Sequence, residues 1–258
     1  MTGRLVIVTN RVPDPRERGA TAGGLVVALK DALAKREALW FGWSGGTAAE
    51  TAVVAAEFRR NRTTYATIDL GQADYRHYYQ GFSNGALWPV LHYRLGMARF
   101  AREDWIGYRR VNAAFAAALM PLLRPGDTIW AHDFHLFLLA AELRALGCRA
   151  RIGFFLHVPF PPRSVFLSLP NAGAILDAMD AYDVIGVQTE DDAENLRAAL
   201  AACGEVSAAA KVGAYPIGID TGGFASLAAR RFRTQAVTQL RDSLAGRCLL
   251  YTSDAADE

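Results

Sequence analysis

Short runs of apolar residues, each about as long as a β-strand, recur along the chain and alternate with segments of helical periodicity. The runs are continuous, which is typical of strands buried on both faces of a parallel sheet. Five such strands are predicted, at residues 5–9 (LVIVT), 128–131 (TIWA), 152–156 (IGFFL), 184–187 (VIGV) and 211–216. Residues 40–43 and 65–70 predict two more, for which a hairpin is one arrangement.

The segments between these runs have apolar residues every three or four positions, as amphipathic helices do. Helices are predicted at residues 24–35, 105–122, 137–146, 191–202 and 232–244. The resulting order, strand then helix repeated, predicts an α/β fold with a Rossmann-like, doubly wound and mostly parallel sheet. No repeat or long linker interrupts the pattern, so we expect one domain.

Composition excludes several classes of protein. Of 258 residues, 52% are apolar and 21% charged, which allows a sizeable core and disfavours general disorder. A net charge of +2 is too balanced for a protein that mainly grips nucleic acid. Three cysteines without a CxxC pair argue against a zinc ribbon or a disulfide scaffold and predict a reducing, cytoplasmic location. The longest nearly uncharged apolar run, 111–123, is too short to cross a bilayer, so no membrane partner is expected.

Polar residues follow four of the predicted strands. They are Asn10 and Arg11; His132, Asp133 and His135; His157; and Gln188, Thr189 and Glu190. Each one alone could be a cap or a loop residue. Because doubly wound sheets bind ligands beyond the carboxyl ends of their strands, the four sets together favour a binding site there.

Individual residues indicate an anionic ligand. The planar guanidinium of Arg11 suits a phosphate, although a simple surface arginine has the same sequence. Gly23 and Gly24, where the next helix is predicted to begin, would let an anion approach bare N–H groups, although a plain turn is equally consistent with them. The usual GxGxxG dinucleotide fingerprint is absent.

Three further features each allow more than one interpretation. The aromatic-rich stretch 78–89 could stack on sugar rings or form a buried cluster. The three prolines in HVPFPP would fix the backbone that carries His157. His132, Asp133 and His135 are chemically able to bind a metal, but alternation along a strand turns His132 and Asp133 to opposite faces, so no metal site is expected.

The ordered motifs VTNRVP, AGGLVVAL, WFGWSG, YYQGFSNGALWPVLHYR, WIGYRRVN, IWAHDFHL, RIGFFLHVPFPP, GVQTE and YPIGID closely resemble the trehalose-6-phosphate synthase family. Its members are retaining glycosyltransferases of GT-B fold, which transfer glucose from UDP-glucose to glucose 6-phosphate. The resemblance implies that residues 1–247 form the N-terminal, acceptor-binding domain and that the donor-binding domain is missing. Alone, the fragment would then be inactive.

The same resemblance implies roles for individual residues. Acceptor binding would fall to Arg11, Tyr79, Trp88 and Asp133, and donor binding to Gly23, Gly24 and His157, with Asp133 and His157 also catalytic. Arg11 and Tyr79 would contact the acceptor phosphate, Trp88 the acceptor sugar and its anomeric configuration, and Asp133 the acceptor hydroxyls. Attack would occur on the front face, with the departing UDP phosphate taking the proton, and no metal or redox cofactor would be needed.

The last eleven residues, 248–258 (CLLYTSDAADE), fit nothing expected at that point, and their back-translation resembles a sequencing adapter. We therefore expect them to be a read-through tail. Alternatives to the main assignment are a glucosylglycerol-phosphate synthase, a pseudo-glycosyltransferase joining cyclitols, a non-catalytic regulatory relative and a metal-dependent hydrolase. Nucleotide preference and homo-oligomerisation of the full-length protein are left open.

Overall fold

The computed structural model describes residues 3–13, 36–218 and 220–244. Within them lie two compact units, divided between Pro216 and Ile217. The first unit contains one eight-stranded sheet of order β3-β4-β2-β1-β5-β6-β7-β8. Its strands are β1 Leu5–Arg11, β2 Ala38–Ala48, β3 Ala56–Arg60, β4 Thr63–Gly71, β5 Thr128–His132, β6 Arg151–Phe155, β7 Val184–Val187 and β8 Val212–Ala214.

Strand β1 lies at the middle of the sheet and sets its topology. It pairs in parallel with β2 on one side and with β5 on the other. The chain therefore builds outward from β1 in one direction, then returns to β1 and builds in the other. This reversal is the switch point at which doubly wound sheets bind ligands, and the predicted fold class is confirmed.

The hairpin considered for residues 40–43 and 65–70 is wrong. Strands β2 and β4 are parallel neighbours, while β4 forms an antiparallel hairpin with β3. Asn61, in the tight turn of that hairpin, has a φ of +57°, a conformation that asparagine tolerates better than most residues. Strand β3 (AEFRR) was not predicted because its side chains are mostly exposed and show no apolar run.

The helices cover the regions predicted for them where the structure describes the chain. We number them α1 (a continuous segment made of Gln72–Asp74, the π-helical Tyr75–Leu87 and Trp88–Leu91), α2 Arg102–Leu119, α3 Leu139–Ala145, α4 Arg163–Phe166, α5 Ala172–Met179, α6 Glu190–Ala202, α7 Val206–Ala209, α8 Thr221–Arg231 and α9 Gln235–Ser243. The predicted helix 24–35, Gly23, Gly24 and the tail 248–258 lie outside the described residues.

The central strands are buried on both faces, which explains their continuous apolar sequence. Val6 and Val8 belong to the larger core, beneath α1 and α2, while Leu5 and Ile7 pack into a smaller cluster with Trp40. Helix α2 presents its predicted stripe to the larger core, and all four members are fully buried: Tyr108, Val111, Phe115 and Leu119. Among the helices of the described part of the chain, none is long and apolar enough to cross a membrane.

The second unit contains α8 and α9 within its described residues, which are 217–218 and 220–244. The Asp220 side chain caps α8 by accepting the N–H of Gly223 at 2.9 Å. The guanidinium of Arg241 lies 5.3 Å from the ring centre of Phe232, a cation–π contact.

Candidate active site

Three neighbouring strands end at the same edge of the sheet. The register aligns Val8 of β1 with Ala131 of β5, and His132 of β5 with Phe155 of β6. The polar residues that follow these strands therefore come together at the switch point between β1 and β5. A candidate site forms there from the residues after β1, β5 and β6.

Asp133 has an unusual backbone conformation immediately after β5. Its φ of 75° and ψ of 165° lie in a region that is essentially restricted to glycine, at a cost of about 1–3 kcal/mol. Two backbone hydrogen bonds maintain it: the Asp133 N–H donates to the Phe155 carbonyl at 2.7 Å, and its carbonyl accepts the Leu136 N–H at 3.0 Å. The strain turns the chain sharply where the carboxylate is presented.

The turn after Asp133 is held from below by three buried side chains, each bonded to a successive carbonyl of residues 134–136. The Tyr108 hydroxyl donates to the first carbonyl at 2.6 Å, the Asn112 amide to the second at 3.1 Å, and the Tyr182 hydroxyl to the third at 2.6 Å. All three side chains are fully buried. Breaking any of these bonds would leave a buried polar group unpaired. The three bonds therefore hold the turn in a fixed position.

The Asp133 carboxyl group is surrounded by protein atoms, although part of the residue still reaches solvent. Burial raises its pKa from 3.8 to about 6. Backbone N–H groups of Phe134 and His157 partly oppose this rise, the second at 3.3 Å from Oδ1. At neutral pH the group is a carboxylate that accepts hydrogen bonds.

His132 and His157 form a pair behind this carboxylate. His132 Nδ1 lies 2.9 Å from His157 Nε2. Burial lowers the pKa of His132 to about 3, helped by the neighbouring His157, and burial lowers the pKa of His157 to about 4. Both rings are therefore neutral at physiological pH, and one proton forms the hydrogen bond between His132 Nδ1 and His157 Nε2.

An aromatic wall connects Asp133 to β2 and α1. The Tyr79 ring stacks on His135 with centroids 5.9 Å apart and tilts against Trp43 at 5.5 Å. Burial lowers the pKa of His135 to about 3, so this ring is also neutral. On the same helix, the Tyr78 hydroxyl donates to Asn10 Oδ1 at 2.8 Å. The end of β1, helix α1 and the turn after β5 are thus joined by direct contacts.

Arg11 ends β1 beside this wall. In the sheet register it pairs with Trp43, whose ring contacts Tyr79. Its exposed guanidinium lies over Gly45, where a Cβ would be only 2.7 Å from Nε. Gly45 also has a φ of +94°, which favours glycine. A bare backbone at position 45 therefore leaves room for the Arg11 side chain.

The structure brings together four of the predicted site residues and leaves one apart. Arg11, Tyr79, Asp133 and His157 are connected by the contacts described above. Trp88 is 38% exposed and stacks on His92 one helical turn later, with centroids 4.2 Å apart. In the part of the chain that the structure describes, no hydrogen bond or ring contact joins Trp88 to the other four.

The fourth set of polar residues, after β7, serves the fold. Thr189 caps α6 by accepting the Asp192 N–H, with three acidic residues in the first turn. Asp192 accepts the Phe160 N–H at 2.8 Å, and Asn195 donates to the Phe160 carbonyl at 3.1 Å. Helix α6 therefore fixes the proline-rich loop that carries His157.

The two adjacent metal-ligand candidates, His132 and Asp133, lie on opposite sides of the sheet. His132 packs against Trp130 at 4.4 Å, on the sheet face of the smaller cluster. Asp133 lies on the other side, towards Tyr78 and Tyr108, whose hydroxyl pKa values are raised mainly by burial and further by neighbouring groups that include Asp133. No group of three or more His, Cys, Asp or Glu side chains among residues 3–13, 36–218 and 220–244 is arranged to hold a metal ion.

Comparison with known proteins identifies the family. The sequence profile of glycosyltransferase family 20 matches residues 4–258. The chain belongs to glycosyltransferase family 20. A Sinorhizobium fredii protein of the family, trehalose-6-phosphate synthase, is 43% identical over 268 residues, which cover 98% of this chain and 58% of that protein. The chain spans about half the length of the curated relatives it matches.

Solved structures agree with this family. An alpha,alpha-trehalose-phosphate synthase (UDP-forming) from Burkholderia vietnamiensis has a TM-score of 0.88 and 41% identity, covering 96% of this chain and 56% of that one. The Burkholderia xenovorans enzyme in complex with glucose-6-phosphate has a TM-score of 0.84 and 38% identity, with coverages of 95% and 56%. An Escherichia coli structure bound with UDP-2-fluoro glucose has a TM-score of 0.83 and 38% identity, with coverages of 94% and 55%. The fold is that of one half of a GT-B glycosyltransferase.

Several residues of this family 20 site were missed by sequence reasoning. Tyr108 and Asn112 lie on the apolar stripe of α2, where they were attributed to core packing or passed over. Asn112 offered a signal, because an amide between buried apolar positions needs partners inside the protein. Trp43 appeared only within a motif, and Tyr182 gave no signal, whereas His135 was already among the polar residues predicted at the site.

Proposed function

We propose that this chain is the acceptor-binding half of a UDP-forming alpha,alpha-trehalose-phosphate synthase, which transfers glucose from UDP-glucose to glucose 6-phosphate with retention. The observation that carries the proposal is the convergence of Arg11, Tyr79, Asp133 and His157 at the switch point of a family 20 fold. The ligands of the Burkholderia xenovorans and Escherichia coli structures support the choice of substrates.

Acceptor recognition begins with the phosphate. Arg11 and Tyr79 bind it, because the exposed Arg11 guanidinium offers a charge-assisted fork and the Tyr79 hydroxyl is a neighbouring donor. Trp88 packs on the acceptor sugar from the rim and selects its anomer. Its 38% exposure leaves ring surface available for such a contact.

Asp133 orients the reacting acceptor. Above a pH of about 6 its carboxylate accepts hydrogen bonds from acceptor hydroxyls, and its rigid turn fixes their direction. The departing UDP phosphate takes the proton of the attacking hydroxyl as the new glycosidic bond forms on the same face. The negative charge of Asp133 also stabilises the oxocarbenium character that develops at the donor C1.

His157 contacts the donor glucose with a defined tautomer. His132 Nε2 is fully enclosed and has no hydrogen-bond partner among the described residues. A buried N–H without an acceptor is rarer than an unpaired acceptor, so the proton of His132 belongs on Nδ1, where it is donated to His157 Nε2. His157 then carries its own proton on Nδ1 and is a hydrogen-bond donor to a sugar oxygen.

Two expectations extend beyond the described residues. Gly23 and Gly24 would lie against the donor diphosphate, and the rest of the donor site would come from the half that this chain does not include. The free thiols of Cys148 and Cys203 are compatible with a reducing, cytoplasmic setting.

The proposal is tested by glucose 6-phosphate binding to the 258-residue chain, measured by calorimetry. We expect binding that requires the phosphate, so that glucose binds much more weakly. Arg11→Ala should weaken binding by about 1.5–3 kcal/mol, or roughly 10- to 150-fold, because one charge-assisted contact is lost. Equal binding by the native chain and Arg11→Ala would contradict this role. Stronger binding of glycerol 3-phosphate would favour the glucosylglycerol-phosphate alternative.

A further inference from the structure

A cavity opens at the opposite edge of the sheet, where the same three strands begin. It has a volume of about 770 Å³ and lies around Leu5 of β1, Thr128 of β5 and Arg151 of β6, which are aligned in register. Strand β5 continues four residues from Thr128 to His132, so the cavity is about 13 Å from the candidate active site. A ligand in this cavity would not contact Asp133 or His157.

The walls of the cavity are strongly basic. Among the residues that the structure describes, they contain five arginines and one acidic residue: Arg4, Arg36, Arg124, Arg149, Arg151 and Asp127. Asp127 is already neutralised, because Arg4 donates to it at 2.7 Å and the Arg124 N–H at 2.9 Å. Between residues that the structure describes, Arg36, Arg149 and Arg151 form no ion pair. Arg124 also lies 3.9 Å from Glu37 in an ion pair, so the excess of positive charge comes from Arg36, Arg149 and Arg151.

The shape of the cavity is held by buried contacts. The Arg4 side chain is only 7% exposed and also donates to the Leu122 carbonyl at 2.7 Å, which fixes the turn that presents Arg124. Gly3 packs directly on the Gly126 carbonyl, where no Cβ could fit. Part of the wall is therefore bare backbone held in a fixed position.

We infer that this cavity is a second ligand site, which binds a small phosphorylated molecule carrying at least two negative charges. Its volume falls within the range of about 300–1,000 Å³ that is typical of small-molecule pockets. The arginines other than Arg4 come from the segments that begin β2, β5 and β6, and a guanidinium group can bind phosphoryl oxygens in a bidentate manner. A bound anion would also relieve the mutual repulsion of the arginines.

The test uses inorganic pyrophosphate as the probe, titrated by calorimetry into the 258-residue chain carrying Arg11→Gln, so that the proposed phosphate site at the carboxyl edge does not contribute. Arg149→Gln/Arg151→Gln removes two exposed charges where β6 begins, and Arg36→Gln/Arg124→Gln removes two from the segments before β2 and β5. Arg230→Gln/Arg231→Gln, on the exposed end of α8, is the control with the same change in net charge. Melting temperatures of all variants check that the fold is retained.

We expect each cavity variant to weaken pyrophosphate binding at least tenfold and the α8 variant to leave it unchanged. In a chain that keeps Arg11, the cavity variants should leave glucose 6-phosphate binding at the carboxyl edge intact, so the two sites fail separately. Native-like binding by both cavity variants would overturn the inference. An equal loss in the α8 variant would also overturn it, because the effect would then be general charge attraction.

Discussion

The two edges of the central sheet treat ionisable side chains in opposite ways. At the carboxyl edge, burial keeps the rings of His132 and His157 neutral and raises the pKa of Asp133 to about 6. At the amino edge, the guanidinium groups of Arg149 and Arg151 are exposed to solvent. The first edge offers hydrogen bonds of fixed direction, and the second offers charge with little directional constraint.

This difference matches the two proposed roles: reaction at the carboxyl edge, the proposed reactive edge, and capture of an anion at the amino edge. Hydrogen bonds must be aligned before a transition state can benefit from them, and buried hydrogen bonds hold the turn after β5 at the proposed reactive edge. Attraction between charges acts over a longer range and tolerates mobile side chains, but salt screens it. In the sequence, both edges of the sheet carry polar side chains. Only the burial of these side chains in the structure distinguishes one edge from the other.

The largest effect is expected when the charge of the reactive edge is removed. In a full-length version of the enzyme, Asp133→Asn should lower kcat/KM by about a hundredfold or more, because an oriented charge is lost where positive charge develops. Steady-state kinetics measure this change. Glu190→Gln, which alters an exposed carboxylate after another strand, is the matched control and should be near normal. Near-normal activity of Asp133→Asn would remove Asp133 from the mechanism.

The next effect is a loss of stability in acid that originates at the reactive edge. His132, His135 and His157 have lowered pKa values, so their contribution is present above pH 6.5 and is lost as the pH falls. Asp133, with a raised pKa, opposes this by releasing its proton on unfolding between pH 4 and 6. Near pH 5, unfolding therefore takes up about two protons net. The unfolding free energy then changes by on the order of 2–3 kcal/mol per pH unit.

Denaturant unfolding between pH 4.5 and 6 measures this slope. His135→Phe should reduce it by about one proton, whereas Arg149→Gln at the amino edge should leave it unchanged. An unfolding free energy that does not vary with pH over this interval would show that the buried histidines are not held neutral.

The smallest effect is expected for the tautomer of His157. In the native chain we expect the side-chain nitrogen NMR signals of His157 to show a proton on Nδ1. His132→Phe removes the hydrogen bond to Nε2 and should shift protons onto Nε2, with a several-fold fall in the kcat of a full-length version. His132→Gln, which can still donate, should restore part of the native distribution. A native His157 protonated on Nε2 would contradict the assigned direction of the bond.

The strands of the first unit were predictable where burial on both faces imposed a continuous apolar run. Strand β1 shows this, since Val6, Ile7 and Val8 are all fully buried. The exposed edge strand β3 lacked such a pattern and was missed. The parallel pairing of β2 with β4 could not be predicted locally, because it depends on where the chain inserts β3.

The candidate site was predictable as far as topology alone determines it. Asp133 and His157 follow adjacent parallel strands, so their proximity follows from the strand order. The hydrogen bond between His132 and His157 could not be predicted, because it depends on the direction in which each side chain leaves the end of its strand. The position of Trp88 beside His92 likewise depends on where the π-helical segment ends, which no periodicity indicated.

The strained backbone of Asp133 lowers the stability of the fold at the residue whose carboxylate is proposed to act in the reaction. Replacement by glycine would relieve the φ of 75° and remove a partly desolvated charge, with a gain on the order of 1–3 kcal/mol of folding free energy. A selection that rewards heat resistance alone would therefore drift toward glycine at position 133 and yield robust proteins without catalytic power. Laboratory evolution of this scaffold needs an activity screen in every round.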